Sequence, residues 1–502
     1  MTDAATDTTG RPTAAASAAT VGAREARVIW LLLGAAFVAI LNETTMGVAI
    51  PHLIDDLSIT AVMAQWLTTA FMLTMAVIIP VTGFLLQLMP TRRVFLLAIS
   101  LFSLGTLLAA VSPGFAMLVV ARVVQASGTA IMMPLLMTTL MTVVPANMRG
   151  RMMGRVSVVI SLAPAIGPTL SGVVLDTLDW RWIFGIVLPI ALAMLVAGAR
   201  WMENIGDTDP APIDVPSVIL SALGFGGLVF GLSQIGGASQ QAETGADASG
   251  TASTTLIVSL GVGAVALALF VWRQLRLQRD DDALLDLRVF RSVNFTVSIV
   301  QMLLLSVAFF GAITVLPLFL QRVLELSATQ SGLTVLPGAI AMGLLGPVIG
   351  RIYDRHGSRV LLVPGALLSS AMLWYYTTIG EHTSVWLLVA AQTVLSIGLA
   401  LSFTPLFTAS LGSLPSRLYS HGSAVVGTVQ QVAGAAGIAL LITVMASVTA
   451  AAQGAGAGAT AAEAAGTQAA FLIAAIAGLP TVIGAFIIRK PDDDVGELPV
   501  RH

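Results

Sequence analysis

Long apolar stretches alternate with short polar breaks along almost the whole chain. A helix needs about 20 mainly apolar residues to cross roughly 30 Å of hydrocarbon, and this sequence contains fourteen such stretches. The hydropathy pattern therefore predicts an all-α polytopic membrane protein. The predicted spans are residues 28–50, 65–88, 93–112, 116–142, 156–176, 182–201, 215–235, 255–272, 294–320, 331–352, 359–379, 384–410, 423–449 and 468–488.

Composition narrows the classes of protein that fit this pattern. Of the 502 residues, 56% are hydrophobic and 10% are charged, and the mean hydropathy is +0.92, whereas a soluble domain carries about a quarter charged residues. Cysteine is absent, which excludes disulfides and thiolate metal sites. The histidines lack metal-ligand spacing, and no phosphate-binding GxxxxGKS or GxxxxGKT loop occurs. We predict no enzyme, no cofactor, no metal site and no nucleic-acid partner.

The basic residues predict the orientation, because lysine and arginine are retained on the cytoplasmic side during insertion. With a cytoplasmic N-terminus, only Arg181 and Arg322 of the 24 basic residues fall in outer loops, and only Arg122 lies within a span. Both termini are therefore expected to be cytoplasmic. Lys490 is the only lysine, which hints at a GC-rich bacterial genome, so the expected location is the bacterial cytoplasmic membrane.

Four segments outside the spans are polar or rich in small residues. Residues 1–27 lack the short apolar core and cleavage site of a signal peptide and are predicted to be a disordered cytoplasmic tail. Residues 489–502 form a second cytoplasmic tail. The stretches 239–251 and 450–468 carry little apolar pattern, so we expect flexible outer loops there.

An internal repeat relates the two halves of the chain. "GFLLQLMPTRRVFL" follows the second span and "GRIYDRHGSRVLL" follows the tenth, and they align on Gly83 and Gly350. Glycines let two helices approach closely, and an acid beside arginines can form a charge latch between helices. The second copy resembles the GxxxDRxGRR loop of the major facilitator superfamily; in the first copy Gln87 replaces the acid and Pro90 the glycine. An ordinary basic turn is the alternative interpretation. The predicted gating residues are Gly83, Arg92, Gly350, Asp354, Arg355, Gly357 and Arg359.

Further motifs occur in the order expected of one branch of that superfamily. "RVVQASGTA" resembles its RxxQGxG element, with Arg122 and Gln125 in place and Ala126 replacing a glycine. "APAIGPTLSG" resembles its antiporter element, and "WRWIF" (180–184) follows it. "LNETTMGVAIP" resembles the first-helix LDxTIVNVALP. Together with the fourteen spans, these motifs resemble the drug:proton antiporter family of the EmrB and QacA type, and "LNET" resembles its lincomycin-resistance branch.

This resemblance implies a fold and a reaction. The implied fold has two six-helix bundles, 28–202 and 291–488, joined by a linker (203–290) that holds transmembrane helices seven and eight. The implied reaction is the exchange of external protons for internal lipophilic, including cationic, drugs or antibiotics by alternating access. We expect a monomer in the lipid bilayer. A dedicated exporter of one endogenous metabolite is the alternative, and a receptor or scaffold is disfavoured because no large segment lies outside the membrane.

Glu43 is the candidate proton carrier. It lies well inside the first span, and charged groups in a span usually face a bundle interior or a wet cavity. Burial favours a protonated carboxyl and a nearby cation favours the carboxylate, so such a group can exchange its proton. A structural ion pair, or a carboxylate that reaches the membrane surface, is the alternative. The resembled family carries its acid one position earlier, where this chain has Asn42.

Arg122 is the predicted modulator of Glu43, because residue counts place both at similar depths. Asn42 and Gln125 are predicted to orient water or ligand. A structural hydrogen-bonding role is the alternative for Arg122. In the fifth span, a hinge or proton seal and simple close packing are both open. The residues of that antiporter motif are Pro164, Gly167, Pro168 and Gly172.

Substrate contacts are predicted from flexible thioether, aromatic and amide side chains, which suit varied lipophilic ligands and cations. Core or lipid packing is the alternative for each of them. The candidates are Met46, Met132, Met133, Asn294, Gln301, Phe309, Phe310, Gln430 and Gln431.

Overall fold

The computed structural model describes residues 22–205, 214–243, 250–280 and 282–490. These residues form fourteen α-helices and three short 3-10 helices, and no strand. The α-helices are α1 (Ala23–Asp56), α2 (Ala61–Leu88), α3 (Thr91–Ala110), α4 (Phe115–Val143), α5 (Arg149–Thr177), α6 (Arg181–Trp201), α7 (Val215–Glu243), α8 (Gly250–Leu277), α9 (Val293–Arg322), α10 (Ala328–His356), α11 (Arg359–Tyr376), α12 (Val385–Gly412), α13 (Tyr419–Gly454) and α14 (Ala459–Ile487).

Each predicted span coincides with one of these helices. Within the described ranges, thirteen helices are long and apolar enough to cross a membrane. The remaining one is α11, which has 18 residues and packs against α12 and α14. The prediction of an all-α protein with fourteen long helices is confirmed.

The helices extend beyond the predicted spans where the sequence suggested loops or tails. The segment 450–468 is largely helical, because α13 ends at Gly454 and α14 begins at Ala459, so the predicted long loop is wrong. Alanine has the highest helix propensity, which explains helix in a stretch without a strong apolar pattern. Similarly, α1 begins at Ala23, inside the predicted tail.

Parts of the predicted loops and tails lie outside the described residues. This holds for residues 1–21, for 244–249 within the predicted loop 239–251, and for 491–502. On either side of the second gap, α7 continues to Glu243 and α8 begins at Gly250, so the ends of that predicted loop are helical.

The helices pack in two groups. Helices α1–α6 contact one another, helices α9–α14 contact one another, and α7 and α8 form a pair in which α7 also packs on α2 and α13. The odd-numbered helices begin, and the even-numbered helices end, at one end of the molecule. We call it the basic end, because the turns there carry most of the arginines.

Two helix pairs join the groups at the basic end. In the α5–α10 contact, Gly150 faces Gly350 so closely that a Cβ on Gly150 would lie 2.6 Å from the Gly350 carbonyl oxygen. In the α2–α13 contact, a Cβ on Gly83 would lie 3.0 Å from the Ala424 Cβ.

Hydroxyl groups add to these contacts in the basic half of the molecule. Thr138 Oγ1 lies 2.7 Å from Ser423 Oγ, and Arg149 donates to the Tyr419 hydroxyl at 3.0 Å. Because these bonds link α4 and α5 to α13, the two helix groups are held together at this end.

Candidate transport site

A buried arginine lies between α1, α2, α3 and α4. The side chain of Arg122 on α4 is 1% exposed. Its Nη1 donates to Gln125 Oε1 at 2.8 Å and, more weakly, to Asn42 Oδ1 at 3.4 Å. Gln125 Nε2 in turn donates to Thr106 Oγ1 at 2.8 Å. The structure therefore brings together three predicted residues, Asn42, Arg122 and Gln125, and adds Thr106.

Neutral groups cover the rest of the guanidinium. Arg122 Cζ lies 4.0 Å from the centroid of the Phe71 ring, a cation–π arrangement. Its Nε donates to the Leu67 carbonyl at 3.5 Å. Within the described part of the chain, Arg122 forms no salt bridge. A buried charge without a close counter-ion is costly, so its electrostatic partner at longer range matters.

That partner is Glu43. Arg122 and Glu43 are within electrostatic range of one another, and Glu43 is half-buried on α1. The helix runs six residues past the predicted end, to Asp56, so the predicted equal depth from the helix ends is wrong. The predicted proximity of the two groups is nevertheless present. Among the described residues, Glu43 and Arg122 form no direct ion pair, so the Glu43 carboxyl group has no fixed cationic partner there.

The position of Gln125 follows from close packing of α3 on α4. A Cβ on Gly105 would lie 2.6 Å from the Gln125 Cα, and a Cβ on Gly128 would lie 2.6 Å from the Phe102 nitrogen. Glycine at both positions lets the two backbones touch. The interior side chains of α4 are therefore fixed in rotation relative to α3.

One polar atom of the network lacks a partner among the described residues. Asn42 is 1% exposed, and its Nδ2 makes no hydrogen bond there. Its Oδ1 is used by Arg122. Asn42 therefore offers a free donor next to Glu43 in the sequence, as its predicted role of orienting water or ligand requires.

In the second loop copy, the acid is engaged, but its partners differ from the predicted arginines. Asp354 Oδ1 accepts from the backbone N–H of Gly150 at 2.8 Å, and Oδ2 accepts from that of Arg151 at 2.9 Å. The carboxylate thus caps the N-terminus of α5, where free N–H groups and the helix dipole favour negative charge. Arg355 and Arg359 are exposed and form no ion pair with a described residue.

Gly357, the glycine that directly follows α10 in this loop, allows the chain to turn sharply. Gly357 ends α10 with φ of 81°, in the left-handed region that favours glycine. Lys490 Nζ donates to the Asp354 carbonyl at 3.0 Å. The turn is therefore held in a conformation that presents the carboxylate to α5.

In the first loop copy, neutral groups take the place of the acid. Gln87 Nε2 donates to the Arg417 carbonyl at 3.2 Å and lies 2.9 Å from His421 Nε2 on α13. Arg92 instead bonds within its own helix group, because its Nη2 donates to the Ala199 carbonyl at 2.6 Å. Its side-chain hydrogen bond therefore joins two helices of one group, and the gating role of Arg92 stays a prediction.

The antiporter motif lies within a continuous α5. A Cβ on Gly167 would overlap the Thr44 hydroxyl, so α5 packs closely on α1 there. No atom of a described residue lies within 4 Å of a Cβ placed on Gly172. The described residues therefore give no close packing at Gly172, and the role of this glycine stays a prediction. Pro164 lies in the same helix, and the side chain of Pro168 is outside the described set.

The predicted substrate residues do not form one cluster. Met46 and Met132 are buried in two different apolar clusters, and Met133 packs against the cluster that contains Met132. Asn294 exchanges hydrogen bonds with the Arg489 backbone at the basic end, at 2.8 and 3.0 Å. Gln301 donates to the Thr481 carbonyl on α14. In the described residues, Asn294 and Gln301 bond to backbone groups at the end of α14 and within it, and their cavity roles stay predictions.

Aromatic and amide side chains lie on the helices of the second group. Phe309 and Phe310 have ring centroids 5.1 Å apart, and Phe309 lies 6.0 Å from Phe403, which the sequence did not single out. Gln430 and Gln431 are half-buried on α13, and Gln431 Nε2 lacks a described partner. Helices of the second group therefore carry aromatic rings in contact and an amide donor without a described partner.

A separate apolar groove of about 600 Å³ lies between α2, α7 and α8. Leu73 and Val77 line it from α2, and Phe230 lines it from α7. None of the predicted substrate residues lines this groove. It is therefore distinct from the Arg122 network.

Comparison with known proteins agrees with this architecture. A family model described as Major Facilitator Superfamily matches residues 32–438. Two solved structures share the fold: the human organic anion transporter MFSD10 (TETRAN), with a TM-score of 0.65 and 15% identity over 92% of this chain and 99% of that one, and the proton:xylose symporter XylE, with a TM-score of 0.62 and 13% identity over 95% and 98%. The class is therefore a multi-pass membrane transporter, not an enzyme.

The chain belongs to the Major Facilitator Superfamily, as the sequence motifs predict. It is 39% identical to the uncharacterized MFS-type transporter YcnB of Bacillus subtilis over 94% of this chain and 97% of that protein. It is also 39% identical to the lincomycin resistance protein LmrB of Listeria monocytogenes over 92% and 96%. The probable multidrug resistance protein EmrY of Escherichia coli is 29% identical over 82% and 78%. The predicted resemblance to the drug:proton antiporter branch is confirmed.

Proposed function

We propose that the protein is a proton-coupled antiporter that exports lipophilic, including cationic, drugs or antibiotics across the bacterial cytoplasmic membrane. The observation that carries the proposal is the buried Arg122, which is held by neutral groups and has the half-buried Glu43 within electrostatic range. The names of the relatives YcnB, LmrB and EmrY support transport and drug resistance as the class of activity.

In this proposal, Glu43 carries the proton. A carboxyl group in a partly buried site that lacks a fixed ion pair can exist in both protonation states. Protonation of Glu43 removes the negative charge near Arg122. The guanidinium then interacts only with neutral hydrogen-bond acceptors such as Gln125. Export is coupled to proton entry if substrate binding and protonation of Glu43 compete for the same conformational state.

Alternating access uses two proposed domains, 28–202 and 291–488, with 203–290 as the linker. The closed basic end is proposed to be cytoplasmic, because it carries most of the arginines, so both termini would be cytoplasmic. Contacts such as Thr138 with Ser423 then represent the state that is closed toward the cytoplasm. The protein is proposed to work as a monomer.

The proposed substrate surface is formed by aromatic and amide side chains. Phe309 contacts both Phe310 and Phe403, and aromatic rings suit lipophilic cations. Gln431 offers an amide donor without a described partner. These groups impose little geometric selectivity, in keeping with a varied substrate list.

The test is a Glu43→Gln substitution in an efflux-deficient bacterial host. We expect the variant to lose resistance to a panel of lipophilic drugs that includes lincomycin and ethidium, because an amide cannot carry the proton. The matched control is Glu381→Gln, which neutralises an exposed acid and should retain resistance. Susceptibility is measured alongside the amount of protein in the membrane.

Each outcome has a defined meaning. Unchanged proton-gradient-dependent efflux by Glu43→Gln contradicts the carrier role. Resistance to many chemically different drugs supports multidrug export, whereas resistance to a single compound supports the alternative of a dedicated exporter. Absence of any gradient-dependent efflux by the wild-type protein contradicts the proposed function as a whole.

A further inference from the structure

Thr106 on α3 has a buried hydroxyl group that makes two hydrogen bonds, one as donor and one as acceptor. It is fully buried (0% exposed). Its Oγ1 donates to the Phe102 carbonyl at 2.7 Å and accepts from Gln125 Nε2 at 2.8 Å. A threonine hydroxyl has one proton to donate. Because the carbonyl takes that proton, the hydroxyl can only accept from Gln125.

This constraint fixes the orientation of the Gln125 amide. With Nε2 directed to Thr106, Oε1 is directed to Arg122 Nη1, which donates to it at 2.8 Å. A reversed amide would place an oxygen against the Thr106 oxygen and an N–H group against the guanidinium, so both hydrogen bonds would be lost. The direction of the Phe102–Thr106 bond therefore determines that Arg122 meets an acceptor.

The backbone of α3 restricts the conformations that the Gln125 side chain can adopt. Gly105 lies against Gln125, and a Cβ there would lie 2.6 Å from the Gln125 Cβ. Gln125 is itself 0% exposed. Among the described residues, Thr106 is the only hydrogen-bond acceptor of Gln125 Nε2.

We propose that Thr106 is a positioning residue for proton coupling. It acts through Gln125 to hold the Arg122 guanidinium at the place where its charge acts on Glu43. Phe71, in contact with the guanidinium, and Asn42, whose Oδ1 accepts its weaker bond, do not replace this acceptor. The inference rests on the proposed function of the Glu43–Arg122 pair.

The experiment measures ethidium efflux from proteoliposomes under an imposed pH gradient. Thr106→Val keeps the side-chain shape and removes the acceptor. We expect its initial rate to fall about tenfold, because a hydrogen bond to a charged group that is lost in the interior has an effect of that order. The midpoint of the pH profile of the rate should also move by about half a pH unit or more. Thr106→Ser, which keeps the hydroxyl, should restore both properties.

The matched control is Thr408→Val on α12. Thr408 is 2% exposed, and among the described residues its hydroxyl bonds only to the Thr404 carbonyl one turn earlier, at 2.8 Å. It has the same local bond as Thr106 but no side-chain partner in the network. We expect the control to leave the pH profile in place, and thermal unfolding of each purified variant reports any loss of folding. If Thr106→Val does not fold, Thr106→Ala is used in its place.

A double substitution separates positioning from packing. If Thr106 acts through Gln125, Thr106→Val combined with Gln125→Leu should be no slower than Gln125→Leu alone. Additive losses, or a Thr106→Val profile equal to that of Thr408→Val, overturn the inference while leaving the proposed function intact. If the wild-type protein shows no gradient-dependent efflux, the proposed function fails and the inference fails with it.

Discussion

The α5–α10 and α2–α13 contacts occupy corresponding places in the two halves of the chain, yet they are built from different chemistry. In the first, a carboxylate of Asp354 caps α5 through two backbone N–H groups. In the second, the neutral Gln87 contacts a carbonyl and the ring of His421. Hydrogen bonds to an ionised acceptor are about twice as strong as neutral ones. The duplicated loop therefore supplies one strong and one weak contact between the helix groups.

Backbone spacing differs in the same sense. A Cβ on Gly350 would overlap the Gly150 carbonyl oxygen, whereas a Cβ on Gly83 would approach the Ala424 Cβ at 3.0 Å. A carbon added at Gly350 would have to displace the α5 backbone, whereas a carbon added at Gly83 would need α13 to shift by only a few tenths of an ångström. The two glycines are equivalent in the sequence repeat, but only Gly350 lies where an added methyl group would overlap a backbone atom of the facing helix.

The largest effect is expected when this difference is tested directly. Gly350→Ala should destabilise the α5–α10 contact by about 1–3 kcal/mol, because an added methyl group in a tight contact forces backbone movement. Gly83→Ala should have a smaller effect. Thermal unfolding and gradient-dependent efflux of the two purified variants provide the comparison, and equal losses would contradict the proposed asymmetry.

A smaller effect is expected from removing the charge alone. Asp354→Asn keeps one acceptor oxygen but loses the charge-assisted cap, which should weaken the closed basic end by about 1–2 kcal/mol. Gln87→Leu, the matched change in the other contact, should weaken it less. The readout is the distance between spin labels on cysteines introduced at the exposed positions Arg93 and Arg291. Because cysteine is otherwise absent, only these sites are labelled, and an equal change in distance for both variants would refute the ranking.

The smallest effect on transport is expected outside both contacts. Arg273 donates two hydrogen bonds to Asp214, each of 2.7 Å, and these bonds lower the pKa of Asp214 to about 2 from an ordinary value of 3.8. A lowered pKa stabilises the folded state above pH 3.8, and this contribution is lost as the pH falls toward 2. Asp214→Asn should therefore reduce stability by on the order of 1 kcal/mol at neutral pH and leave efflux nearly unchanged.

The pH dependence checks that assignment. The difference in thermal unfolding temperature between the wild-type protein and Asp214→Asn should be constant above pH 5 and should shrink between about pH 4 and 2. A difference that persists at pH 2 would show that the lost packing, and not the ion pair, is responsible.

Much of the fold could be predicted from the sequence, because the bilayer imposes a length and a polarity on every span. The predicted spans match the fourteen described helices, and the α4 pair Arg122 and Gln125 shares a face because the two are three residues apart. The apolar pattern predicts a loop at 450–468, but the helix propensity of its alanines extends α13 and α14 into this segment.

The sequence identifies several residues of the site, but it does not identify their hydrogen-bond partners. Thr106 is one threonine among many in apolar helices, and only the rotation of α3 against α4 brings it to Gln125. Asp354 bonds to backbone N–H groups some 200 positions away in the sequence, and backbone donors leave no mark in residue types. The amide groups of Asn294 and Gln301 suggest ligand contacts, but their hydrogen-bond partners lie on α14 and just after its end, which the sequence pattern does not specify.

The unequal strength of the two contacts has a consequence for the proposed alternating-access cycle. A rigid bundle that is released first at Gln87 and last at Asp354 would turn about the α5 terminus instead of about the axis of internal symmetry. The opening toward the basic end would then be wedge-shaped, wider beside α2 and α13 than beside α5 and α10. Cargo would enter obliquely, from the side where the linker helix α7 packs against α2 and α13.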